Sequence, residues 1–169
     1  MKIIITILFV CVASLSKAED TIHLNTRIDT IHYLIQKIDD CASVSIYSPS
    51  VGPHLSMQFY RFAYLLAMVN NDELVDIVKN GHTASRVFAY MGLYQNKYNQ
   101  LEQIKQILRS DSTEVIYTQG CSSGKSTIGK EIMQIKEPYW ENIVNYFLFQ
   151  MQNQAEFKKA VFDLILSDY

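Results

Sequence analysis

The chain lacks an excess of either charge: over 169 residues, 15 Lys and Arg stand against 17 Asp and Glu, a formal net charge of −2. That balance excludes capture of nucleic acid or of an anionic membrane by a broad basic surface. With only 3 prolines and 6 glycines it is not a collagen-like or linker-like chain. Its 3 cysteines are too few for a disulfide scaffold, and no Asn-x-Ser/Thr acceptor occurs. The four histidines, His23, His32, His54 and His82, include no i, i+4 pair around a Glu, which removes the metalloprotease helix. What the chain does have is 49% hydrophobic and 12% aromatic residues, enough for one packed core and hence one domain.

Lys2 precedes an apolar run from Ile3 to Val12 broken only by Thr6, and small residues follow at Ser16-Lys17-Ala18. Residues 1–18 therefore read as a secretory signal peptide, and the run falls short of the ~20 residues a bilayer span needs. Cleavage after Ala18 leaves a mature domain 19–169 with no stable membrane span, in the periplasm or secreted. Cys11 follows the bulky Phe9 and Val10, which argues against a lipidated N-terminus. Export leaves Cys41 and Cys121 in an oxidising compartment. They either pair as a disulfide or remain two separate small apolar residues, and spacing leaves both open. Two cysteines without spaced histidines make a poor zinc site, so no metal or other cofactor is expected.

The mature region reads as all-α. Ile28, Ile31, Leu34, Ile35 and Ile38 lie on one face of a first helix that stops at Asp39-Asp40. Residues 42–53, rich in Ser, Pro and Gly, read as the longest irregular segment. A second helix from Met57 to Val69 is apolar on most sides and is expected at the centre of the core. A short helix capped at Asn71 or Asp72 stops at Asn80-Gly81; others follow over Thr83–Leu93, Leu101–Leu108, from Ile128, over Trp140–Met151 and over Ala155–Leu166. Glu114–Tyr117 is strand or a single helical turn, which periodicity does not separate over four residues.

The octapeptide Gly120-Cys121-Ser122-Ser123-Gly124-Lys125-Ser126-Thr127 comes close to a phosphate loop. Four residues between the glycines let successive amides curl round a phosphate; here the spacing is three, and Gln119 occupies the position that needs glycine. The segment therefore reads as a small-residue turn ahead of a helix. Aromatic residues at helical spacing are mostly core, with Tyr60, Tyr64, Tyr94 and Tyr98 the candidates for an exposed recognition surface.

The stretch from Asp72 to Leu93, with Arg86 followed by Val87, Phe88 and Ala89, resembles a HEAT-type repeat. Residues 62–135 as a whole are similar to small exported bacterial proteins of unknown function that carry one degenerate repeat, with Asp111-Ser112-Thr113 preceding Gly120-Cys121. The resemblance implies a short right-handed stack of antiparallel helix pairs, a HEAT-like α–α superhelix with flanking capping helices. It also implies that Arg86, opening the second helix of a pair, reaches Asp111 about one repeat later and ties neighbouring units together. The function expected is a non-enzymatic scaffold that binds a protein or peptide. The alternative is a small-ligand binder or hydrolase using polar groups near Ser122, Ser123 and Lys125. A deep polar pocket would favour the second, and a shallow tyrosine-lined face the first.

Overall fold

The computed structural model describes residues 26–45, 55–119, 122–135 and 141–167. The signal-peptide segment, Cys121, His23 and His54 lie outside them. Among the described residues, eight helices and three strands follow in the order α1 Arg27–Cys41, β1 Ser43–Ser45, α2 Met57–Met68, α3 Asn71–Asn80, α4 Ala84–Gln95, α5 Leu101–Leu108, β2 Glu114–Gln119, β3 Ser122–Thr127, α6 Ile128–Gln134, α7 Glu141–Asn153 and α8 Ala155–Leu166.

Local signals set most helix ends. Thr26 and Asp29 form a capping box at the start of α1, and Asn70 and Glu73 form another at α3, each satisfying two backbone donors that the first turn leaves open. At its other end α1 stops on Ala42, held in the left-handed region at φ 46°, from which the chain enters β1 directly.

The helix α2 is the centre of the core, with Phe59, Phe62, Ala63 and Leu65 fully buried. It packs on α1, α7 and α8. Phe59 meets Phe147 edge to face at 5.5 Å, and Phe62 meets Phe88 of α4 at 5.0 Å. Polar residues of α2 also finish α1: the buried Gln58 amide donates to the carbonyls of Ile38 and Ser43, both at 3.0 Å, and accepts from Arg61 Nη1.

Two cross-links fix how α1 and α3 lie. At one end Arg27 reaches Met68 and Glu73; at the other, Asp39 reaches Thr83 and Ser85, just past the end of α3. The two helices therefore run side by side in the same direction. Asp39 also performs the cap that Thr83 does not. Its Oδ1 accepts from the backbone N–H groups of Thr83 and Ser85 at 3.0 and 2.9 Å and from the Thr83 hydroxyl at 3.0 Å, while its Oδ2 accepts from Ser85 Oγ at 2.7 Å. A carboxylate from another helix thus sits at the positive end of the α4 dipole.

The protein is mostly helical, but the all-α expectation needs a correction: a three-stranded sheet of order β1-β2-β3 lies among the helices. The strand β1 pairs parallel with β2, and β2 pairs antiparallel with β3 in the register Glu114↔Thr127 through Gln119↔Ser122. Glu114–Tyr117 is thus strand, residues 43–45 are not irregular, and Ser122–Thr127 is not a turn. Five small residues around one lysine carry no alternation for a strand reading to use; the Glu114–Gln119 partner imposes the extended form. After the hairpin, Gly129 admits α6 close to the end of α5. A Cβ there would lie 2.6 Å from the Arg109 carbonyl oxygen.

Candidate functional site

The parallel pair α1 and α3 leaves a groove of about 420 Å³ between them. Ile31 and Ile77 form its nearly buried floor, Ile35 is half-buried, and Ile28 stands 60% exposed at the mouth. Along the α3 side run Asp72, Glu73 and Asp76, and His32 faces them from α1. Acidic residues in the first turn of α3 complement that helix's dipole, so the fold tolerates the charge there at little cost.

The three carboxylates are not equivalent. Arg27 grips Glu73 with two parallel bonds, Nη1–Oε1 at 2.8 Å and Nη2–Oε2 at 2.6 Å, and its Nε donates to the Met68 carbonyl at 2.9 Å. The Arg27 hydrogen bond, helped by the Asn70 backbone N–H, holds the Glu73 carboxyl below its ordinary pKa. This pair closes one end of the groove and is locally neutral. Asp76 accepts from the Asn80 amide at 2.6 Å, which orients it without cancelling its charge. Asp72 and Asp76 are exposed and leave an isoleucine-floored channel with a negative rim.

Among the residues singled out from the sequence, Arg86 and Asp111 are brought together. Arg86 Nη2 lies 2.6 Å from Asp111 Oδ2, both side chains about 15% exposed, and Arg86 Nε donates to the Val78 carbonyl of α3 at 2.9 Å. Burial works against the Asp111 carboxylate, but hydrogen bonds from Thr113 and the Arg86 charge outweigh it and hold its pKa below the usual value.

The four tyrosines do not form one exposed surface. Tyr64 belongs to the core at 7% exposure, stacked on Phe162 at 5.4 Å, because α2 is enclosed on nearly every side. Tyr60 packs between Phe59 and Phe147, and Tyr94 and Tyr98 are half-buried against the core. The groove is floored by isoleucine instead. Cys41 is an exposed free cysteine 3.3 Å from Arg61 Nη1, and its proposed partner Cys121 lies outside the described residues.

The phosphate-loop resemblance ends in the hairpin. Ser122–Thr127 is extended and paired along β2, so its amides cannot curl round an anion, and Lys125 is ion-paired across the strands with Glu114 at 2.8 Å. The same segment holds a Gly120-x-Ser122-x-Gly124 spacing, so the serine-hydrolase spacing is present in the chain, contrary to the expectation that it has none. A nucleophile elbow needs a sharp strand-to-helix turn at the serine; here Ser122 opens β3, and the next helix starts only at Ile128. A neighbouring carboxyl, Glu131 of α6, is 5% exposed and bonded to Ser126; burial raises its pKa and the Ser126 bond only partly offsets this. The described histidines, His32 and His82, are exposed on α1 and on the α3–α4 turn.

Among the described residues, no group of three or more His, Cys, Asp or Glu could hold a metal ion, and no helix is long and apolar enough to cross a membrane. The groove is not legible in the sequence because its residues come from two helices some forty positions apart. One signal was present: Ile28 extends the isoleucine stripe of α1 beyond what α2 covers. Comparison with known protein families, curated proteins and solved structures finds no match to this chain.

Proposed function

We propose that the protein is an exported, non-enzymatic helical scaffold that holds a cationic, amphipathic peptide segment of a protein partner in the groove between α1 and α3. The observation that carries this reading is the groove itself: exposed Ile28 and the floor of Ile31 and Ile77 offer apolar contact, and the unneutralised Asp72 and Asp76 select a basic partner over an acidic one. The pairs α1/α2 and α3/α4, with α1 and α3 parallel, support a HEAT-like stack whose outer helices frame the channel. Arg86, bonded to both Val78 and Asp111, acts as the tie between successive units. Such a scaffold needs no cofactor, and nucleic acid is not a partner for an acidic channel. Export to the periplasm or beyond rests on residues 1–18. Against the small-ligand or hydrolase alternative at Ser122, Ser123 and Lys125 stand the open surroundings of β3: a Cβ at Gly124 would meet nothing within 4 Å among the described residues.

The test is fluorescence anisotropy with a labelled helical peptide of leucine and lysine, beside the same peptide with glutamate for lysine. The lysine peptide should bind saturably and the glutamate peptide should not. Ile28→Asp, at a site too exposed to disturb folding, should weaken binding at least tenfold, and Asp72→Asn with Asp76→Asn should weaken it and flatten its salt dependence. Equal affinity of wild type and Ile28→Asp for the lysine peptide would remove the groove as the site.

A further inference from the structure

The helix α7 turns outward a face with no charge. From Asn142 to Ala155 the chain has no Asp, Glu, Lys or Arg, and Tyr146 and Phe149 stand 65% and 60% exposed. Asn142, Asn145, Tyr146, Phe149, Gln150 and Asn153 fall at i, i+3, i+4, i+7, i+8 and i+11, one face of a helix. All are exposed except the half-buried Gln150, while Val144, Phe147 and Met151 are buried on the opposite side. The core does not account for two aromatic rings on the outer face.

That face is a chemical palindrome. Read outward from the midpoint between Phe147 and Leu148, Tyr146 is matched by Phe149, Asn145 by Gln150, and Asn142 by Asn153. Two such helices laid antiparallel about a twofold axis through the midpoint set aromatic against aromatic and carboxamide against carboxamide, the self-complementarity that an isologous contact requires. Within one copy Asn145 Oδ1 accepts from the Gln95 amide of α4 at 2.6 Å, Asn153 Nδ2 donates to the Phe149 carbonyl at 2.7 Å and Gln150 Oε1 accepts from Gln154, but each carboxamide both donates and accepts, so the positions these bonds leave open can bond their own kind, and no like charges meet. The groove between α1 and α3 has no such property, because Asp72 and Asp76 would confront themselves. Aromatic enrichment with charge depletion is also the composition of an interface centre.

We propose that the outer face of α7 joins two copies of this chain, antiparallel, with Tyr146 of each copy against Phe149 of the other. One helix face buries less than the ~800 Å² per partner of a standard interface, so the dimer is concentration-dependent, with a Kd on the order of 10 µM.

Sedimentation equilibrium of the full chain tests this, with thermal melts as the control for folding. Wild type should move from the mass of one chain to that of two across that concentration range. Phe149→Glu and Tyr146→Lys should each stay at one chain, with unchanged melts. An equimolar mixture of the two variants should recover dimer, because antiparallel packing sets the new carboxylate of one copy against the new ammonium of the other. Ile28→Asp should dimerise like wild type, which separates this contact from the peptide groove. Wild type remaining at one chain at ~30-fold above that Kd overturns the proposal, as does dimer in either variant alone or a mixture that stays monomeric.

Discussion

Removing Arg86 is the sharpest test of how the helices are tied together. Its guanidinium makes a 2.6 Å ion pair with Asp111 and a 2.9 Å bond to the Val78 carbonyl, so it joins α3, α4 and the α5–β2 connection. Both side chains of the pair are about 15% exposed, so solvent screening is limited but their desolvation is already costly. A hydrogen bond to a charged group contributes roughly 1.5–3 kcal/mol net. Arg86→Ala loses one such bond, loses the Val78 contact and strands Asp111 with only Thr113, so the expected loss is about 3 kcal/mol. Asp111→Ala should cost about 2 kcal/mol, and a double-mutant cycle by urea denaturation should return a coupling of about 1.5 kcal/mol. Acidity provides an internal check. The folded pKa of Asp111 is depressed, so its contribution is present above the unfolded value near ~3.9 and disappears as pH falls through the folded value. The gap between wild type and Arg86→Ala should therefore narrow in strong acid. A coupling below ~0.3 kcal/mol at neutral pH would refute the tie.

Asp39→Ala, which uncaps α4, should lower unfolding free energy by about 2 kcal/mol, while the exposed neighbour change Asp40→Ala stays within about 0.5 kcal/mol. Gly129→Ala would gain ~0.5–1 kcal/mol from helix propensity, yet its Cβ meets backbone at 2.6 Å; the denaturation midpoint should fall, with Gly124→Ala as the unchanged control. For Glu131 the folded pKa is raised by burial, so the protonated folded state is favoured and stability falls as pH rises from the unfolded value, ~4.3, through the folded one. Glu131→Gln should melt higher than wild type at neutral pH, and the advantage should close in acid; a constant difference across pH would refute the assignment.

Helix positions were legible in the chain because they rest on local chemistry. Apolar spacing and Gly81 act within a few residues; the α8 and α5 bounds match the sequence reading, and α2 is central, as its apolar surround implies, while the cap of α3 falls on Asn70, one residue ahead of the Asn71 or Asp72 expected, and Thr26 caps α1, where no cap was expected. That same surround hid the fate of Tyr64, since a helix enclosed on nearly all sides leaves no outward face for a tyrosine to occupy. The sheet was not legible. Ser122–Thr127 has no β-branched alternation, and three residues at Ser43–Ser45 carry no periodicity, so both strands exist only through pairing with Glu114–Gln119. The groove likewise depends on Arg27 and Asp39 each reaching across more than forty residues to hold α1 beside α3. Propensity and capping are properties of a short window and are written in the residues themselves. Strand pairing and grooves are properties of two segments at once, and only the tertiary structure decides which segments meet.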